Sequence, residues 1–169
     1  VATSGRGSAQ EMAGEMFRMA SGAPMLLVPY KGSSAAHPDL LAGRTALFID
    51  TISAILPQVK AGNARAVAVS TRKRTKSLPD VPTADEQGFK GCDANTNGGF
   101  LAPAGTPKAI IARLNAEINA ALKLPDVRTK LEAAGIEIQG GTPQEYAALI
   151  KSDLVKWGKV VKEAGIQQE

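Results

Sequence analysis

The chain has 169 residues, 44% of them apolar, which is enough for one ordinary domain or two small lobes with a core. Twenty Lys and Arg against 16 Asp and Glu give a formal charge of +4, which suits acidic small molecules better than nucleic acid, and aromatic residues at only 4% argue against a base-stacking surface. A lone cysteine, Cys92, and a lone histidine, His37, exclude an internal disulfide and a Cys/His metal cluster, and no apolar run reaches the roughly 20 residues that span a bilayer.

Val1-Ala2-Thr3 reads as the end of a strand with no leader before it, so the sequence reads as a processed or truncated piece of something longer. It runs into a glycine-rich turn, Thr3-Ser4-Gly5-Arg6-Gly7-Ser8. Apolar residues at Ala9, Met12, Ala13, Met16, Phe17 and Ala20 then predict an amphipathic helix with Ser8 as its N-cap, ended by Ser21-Gly22. Glycines just ahead of a helix let backbone approach a ligand closely, and the uncapped N–H groups favour an anion. Ser4, Gly5, Arg6, Gly7, Ser8 and Ala9 are therefore a candidate cradle for a carboxylate or phosphate. A capped helix start holding nothing is the alternative.

Met25 to Val28 reads as a buried strand closed by Pro29. A helix from about Ser34 to Leu41, a strand from Thr45 to Ile49, a helix on Ile52, Ile55, Leu56 and Val59 that Pro57 should kink or shorten, and a strand from Ala64 to Ser70 follow. The order β-α-β-α-β-α-β calls for a parallel sheet covered by helices. Between Thr71 and Asn97 the pattern breaks into loops, the expected lobe boundary. The basic run Arg72-Lys73-Arg74-Thr75-Lys76 reads there as a solvated loop, and Thr83 with Glu86 as the capping box of a brief helix ended by Gly88. Gly98 to Ala102 reads as a strand, Thr106 as an N-cap with Pro107 at the first helical position, and Ile110 to Leu122 as a long amphipathic helix. A helix from Asp126 to Ala134, a short strand from Ile136 to Ile138, and a last helix opened by the capping box Thr142-Pro143-Gln144-Glu145 and ended by Gly165 complete the chain. Trp157 lies on that helix's apolar stripe.

The glycine-rich loop is neither a Walker A motif nor G-x-G-x-x-G, since position ten is Gln. Ser8, His37 and Asp50 could be nominated as a catalytic set only by exhaustion. Asp50-Thr51 is better placed, at the carboxyl end of a strand, where open α/β sheets bind ligands. Asp50 also reads as the N-cap of the helix that follows.

Six ordered motifs closely resemble the Bug family, the TctC-type substrate-binding proteins of tripartite tricarboxylate transporters. They are Val28-Pro29-Tyr30-Lys31-Gly32-Ser33, Asp39-Leu40-Leu41-Ala42-Gly43, Leu78-Pro79-Asp80-Val81-Pro82-Thr83, Leu101-Ala102-Pro103-Ala104-Gly105-Thr106-Pro107, Gly140-Gly141-Thr142-Pro143 and Trp157-Gly158-Lys159-Val160-Val161. The resemblance implies a periplasmic binding protein of the type II two-lobe kind, which takes a small carboxylate into its interlobe cleft, uses no cofactor, carries no enzyme activity, binds no nucleic acid and delivers to membrane components of a transporter. It also implies that residues 1–93 are the second lobe and residues 94–169 the returning part of a first lobe whose beginning is not in this sequence. Three features depart from the family pattern: Glu11 where a histidine is usual, Asn97-Gly98 where an aromatic pair is usual, and Arg6 inside the cradle. Ser4 to Ala9 would hold the carboxylate, with Asp50 and Thr51 orienting the rest. A homo-oligomer through the incomplete lobe is one way to cover its apolar stripes. The ligand-sensing domain of a transcription regulator is the alternative function, because it uses the same two-lobe fold.

Overall fold

The computed structural model describes residues 1–166. Strands β1 (Ala2–Thr3) and β2 (Val28–Pro29) pair in parallel, Ala2 opposite Val28 and Thr3 opposite Pro29. On the other side of β1, Phe48 bridges Ala2 in parallel, and the Ala2 amide donates to the Leu47 carbonyl at 2.8 Å. With a neighbour on each side, β1 is the middle of the ladder, and both of its residues are fully buried. Helices α1 (Ala9–Ser21), α2 (Ser33–Leu41) and α3 (Ile52–Lys60) alternate with these strands, which is the expected parallel α/β arrangement. Helix α1 lies close to the sheet because Gly14 has no side chain. A Cβ there would come within 2.6 Å of Leu27 Cδ2.

Several local expectations are corrected. Helix α3 runs on through Pro57 to Lys60; a proline six residues into a helix removes one N–H but leaves the first turn untouched. The expected strand Ala64–Ser70 reduces to Val69, which bridges Thr83. Thr83 and Glu86 do form both bonds of a capping box, at 2.7 and 3.0 Å, yet no helix follows them, because Gly88 breaks the chain within a turn. The basic run is tied down in part, with Arg72 paired to Asp93 and Arg74 to Glu86.

The second half holds α4 (Lys108–Ala121), α5 (Pro125–Ala133) and α6 (Pro143–Ala164). Neither Gly98–Ala102 nor Ile136–Ile138 forms a strand. A ladder needs a partner, and Gly98–Ala102 has none; Phe100 and Leu101 are each 79% exposed. Gly99 lies so tightly on the Tyr146 ring of α6 that a Cβ would not fit. Thr106 does not cap α4: Pro107 occupies the N-cap position, and the Thr106 hydroxyl donates to the Pro103 carbonyl at 2.8 Å, closing the preceding turn. The capping box of α6 is complete, with the Thr142 amide on Glu145 Oε2 at 2.7 Å and the Glu145 amide on Thr142 Oγ1 at 3.2 Å.

The packed centre joins the two ends of the chain. Met12 and Met16 of α1 meet Val160 of α6, with Trp157, Val161 and Ile166 around them, so Trp157 packs as its stripe foretold. Gly135, at the end of α5, sits over Ile52 and the buried Leu56 of α3. Both contacts reach across the division drawn at residues 93 and 94, and residues 167–169 of the expected second unit lie outside the described residues.

Candidate functional site

The strands and the helix that follows each of them set the site, at the carboxyl edge of β1. The cradle loop leaves β1 and turns into α1 over Gly5 and Gly7, whose φ angles are +142° and +69°. Gly5 is required twice over: its φ is open to glycine, and a Cβ would sit 3.1 Å from the Tyr30 carbonyl. The segment after β2 props the loop from behind, since the Gly32 amide donates to the Ser4 carbonyl at 2.9 Å. Tyr30 is fixed in turn by its hydroxyl, which donates to Asp39 at 2.8 Å. That bond raises the tyrosine pKa, while Arg44 and then Tyr30 hold the Asp39 carboxyl below its ordinary range.

Ser8 caps α1 as the sequence predicts: its hydroxyl accepts from the Glu11 amide at 3.1 Å and donates to the Gly5 carbonyl at 2.6 Å. That hydroxyl is committed. The Gly7 amide is also taken, donating to Glu11 Oε2 at 2.6 Å. Arg6 is itself engaged.

Asp50 does not cap α3. Thr51 stands at the N-cap, and its amide donates back to Asp50 Oδ1 at 2.8 Å. The Asp50 carboxylate is 1% exposed and accepts two further bonds, from Ser33 Oγ at 2.5 Å and from His37 Nε2 at 2.9 Å. His37 pairs with Asp50 while the Ser8 hydroxyl is turned to the Gly5 carbonyl, so the nominated Ser8, His37 and Asp50 are not joined in one relay, and the bonds of Ser33 and His37 to Asp50 tie α2 to the start of α3. His37, edge-on to Phe48 with ring centroids 5.6 Å apart, is part of the same lock.

A small cleft of about 30 Å³ opens beside these groups. Ala9, Gln10, Asp50, Thr51, Ser70, Asn95, Thr96 and Trp157 are among the residues that line it. Of the expected residues, Ala9, Asp50 and Thr51 meet in this cleft, whereas Ser4, Gly5, Arg6, Gly7 and Ser8 do not line it. Gln10, Ser70, Asn95 and Thr96 were not singled out from the sequence. Gln10 follows the cradle directly, but only the fold brings the other three there. A cleft of this volume accommodates one or two waters, far short of the roughly 300 Å³ of a ligand pocket. Among the described residues no group of three metal-binding side chains occurs, and no helix is long and apolar enough to cross a membrane.

A parallel α/β unit that ends its strands on a glycine-rich loop, a helix N-terminus and a small cleft is the architecture in which open α/β proteins place their ligand sites. The chain belongs to the tripartite tricarboxylate transporter receptor family, TctC, whose model matches residues 1–166. Among curated relatives, a protein from the tcbD-tcbE intergenic region of Pseudomonas sp. (strain P51) is 39% identical over 163 residues, covering 96% of this chain and 48% of its own. One from the clcB-clcD intergenic region of Pseudomonas knackmussii is 34% identical, covering 93% of this chain and 94% of its own. The chain thus spans about half the length of the first of these relatives and nearly all of the second.

Three solved structures share the fold. R. palustris Rpa4515 with adipate is 37% identical, with a TM-score of 0.86 over 97% of this chain and 55% of that one. The periplasmic binding protein BugD is 32% identical, with a TM-score of 0.86 over 100% of this chain and 58% of its own. MatC from Rhodopseudomonas palustris with bound malate is 28% identical, with a TM-score of 0.75 over 95% and 56%. The fold is therefore that of the TctC-type periplasmic binding proteins. This family consists of solute-binding proteins, and its members include proteins with a small carboxylate bound.

Proposed function

We propose that this chain is the carboxylate-holding part of an extracytoplasmic solute-binding protein that serves a tripartite tricarboxylate transporter from the periplasm, with binding and not turnover as its task. The observation that carries the reading is the convergence of the first turn of α1 with Asp50-Thr51 at the carboxyl edge of β1, lined by Ala9, Gln10, Ser70 and Thr96. Amides at a helix start and neighbouring hydroxyls suit a carboxylate without any lysine, because charge-assisted hydrogen bonds from several donors suffice. In this reading Ala9 touches the ligand, the loop Ser4 to Ser8 forms the rim, and Asp50 acts by holding Thr51. Residues 1–93 are the second lobe of the two-lobe plan. Residues 94–169 return to a first lobe whose remaining strands would supply the other wall and enlarge the cleft to ligand size.

The test is calorimetric titration of the two-lobe protein, this chain completed by its first lobe, with adipate and with malate, beside an Ala9→Asp variant. An aspartate at the first helical position favours the helix dipole but fills the cleft with negative charge. Binding by the native chain and its loss in the variant, at unchanged thermal stability, is the expected result. No binding of either acid, or equal affinity in the variant, overturns the proposal.

A further inference from the structure

One ionisable side chain lines the cleft, and it is an acid. Asp50 stands there alone in charge; every other lining residue, among them Gln10, Thr51, Ser70 and Thr96, is neutral. A solute carboxylate in so small a cleft comes within about 6 Å of the Asp50 carboxylate, where like charges oppose binding. The three hydrogen bonds that Asp50 accepts satisfy its lone pairs but leave its charge, unless one of the donors is a cation. Ser33 Oγ and the Thr51 amide are neutral, so His37 Nε2, at 2.9 Å, is the donor that can carry a charge. The elements around the imidazole bring no rival. Strand β1 offers Ala2 and Thr3, the Phe48 ring meets the imidazole edge-on, and α3 has no ionisable residue before Lys60. On α2 itself Asp39 is held by Arg44 and Tyr30. The loop ahead of α1 adds Arg6, which is engaged, and Glu11, bonded to the Gly7 amide. Among the described residues, Asp50 is the one ionisable group bonded to His37.

We infer that His37 is the counter-charge of this site: as an imidazolium it cancels the Asp50 carboxylate and lets a solute carboxylate lie beside it, so that solute and proton bind together. The inference rests on the carboxylate reading above and adds a proton to it. A carboxylate only accepts, so Nε2 keeps its hydrogen on Asp50 in both charge states and the proton gained goes to Nδ1. The His37 side chain is 17% exposed, so water reaches the ring. Histidine is the residue whose charge ordinarily changes between about pH 5 and pH 8. Below that change the His37–Asp50 pair is neutral and affinity is full; above it the pair is an anion and affinity falls. One unit charge about 6 Å away is worth about threefold in affinity at the dielectric of water and about a hundredfold at that of a protein surface.

Dissociation constants of adipate and of malate are measured by calorimetry between about pH 6 and pH 8.5 on the two-lobe protein, this chain completed by its first lobe, and on its His37→Gln variant. A glutamine keeps an N–H on Asp50 and removes only the charge, so loss of the tie between α2 and Asp50 cannot mimic the effect. Native affinity is expected to fall at least about threefold over that range, with proton uptake on binding, read by repeating the titration in buffers of different ionisation enthalpy. The variant is expected to bind more weakly at the acid end and with a flat profile. His37 is the one histidine of this chain, and its proton NMR resonance, identified by its loss in the variant, should change to the charged form at a higher pH with the acid bound than without. An unmoved His37 titration overturns the inference without recourse to any variant. A native fall of less than about threefold, or an equal slope in His37→Gln, overturns the role of His37 and leaves the carboxylate site standing. Failure of both acids to bind either protein at any pH overturns the carboxylate reading, and this inference with it.

Discussion

Replacing Asp50 by alanine tests whether its carboxylate is a structural anchor. The substitution strips the acceptor from three donors at once: Ser33 Oγ, the Thr51 amide and His37 Nε2. A buried donor left without a partner costs about 1–3 kcal/mol. Ser33 and Thr51 are only half-buried and can recruit water, so the lower end applies and the sum is about 3 kcal/mol. In a chain of this length each kcal/mol moves the melting temperature by about 2–4 °C, which gives a fall of roughly 6–12 °C. Asp50→Asn is the control. An asparagine oxygen can still accept from Ser33 and Thr51, and its NH₂ can donate to a neutral His37, so that variant should lose only about 1 kcal/mol. Circular dichroism melts of the three proteins decide the matter. A native-like melting temperature in Asp50→Ala, or equal losses in both variants, refutes the anchor and returns Asp50 to the ligand.

Thr3→Val should be neutral or stabilising by up to about 1 kcal/mol, because the Thr3 hydroxyl is fully buried and has no hydrogen-bond partner; a marked loss in a denaturant titration would reveal a partner held through water. The Thr142 amide and then the Thr142 hydroxyl hold the Glu145 pKa below its ordinary value of 4.5. A depressed carboxylate stabilises the folded state above its unfolded pKa and loses that contribution as pH falls through the folded one. The start of α6 should therefore weaken only below about pH 4.5, and hydrogen exchange of the Thr142 amide in Glu145→Gln, which has no carboxylate to protonate, should no longer show that acid step. Helices α4 and α5 bury no residue, and Phe100, Leu101, Leu154 and Val155 are all more than two-thirds exposed, so light scattering should find the isolated chain associating with itself or with a partner lobe. A compact monomer at high concentration would count against a missing wall.

Helices were legible in the sequence because the signals that start and stop them are local. Ser8 before the Ala9 stripe and the Thr142-to-Glu145 box each fixed a boundary within a few residues. Strands were less so, because a strand exists only where something pairs with it. Gly98 to Ala102 has the composition of a strand and lies extended along α6 without becoming one. The parallel order was readable from alternation. Within the site, the loop glycines were readable from spacing. The use made of Asp50 was not, since its partners Ser33 and His37 lie 17 and 13 residues away. Glu11 was legible in principle, three residues after a serine cap, but only coordinates show that it bonds to Gly7 and leaves the Ser8 amide to Gly5.

The contact between the last turns of α6 and the flank of α1 makes α6 a lever arm. Helix α6 has 22 residues, and about 27 Å of it separates Thr142 and the Gly140-Gly141 bend from the seat of Val160 on Met12 and Met16. A tilt of α1 by about ten degrees would swing the far end of such an arm by about 5 Å. That far end lies against α4 through Asn115 and Asn119, whose side-chain amides both donate to the Gly141 carbonyl at 2.9 Å. A small tilt at one end of a rigid rod would thus become a visible displacement at the other.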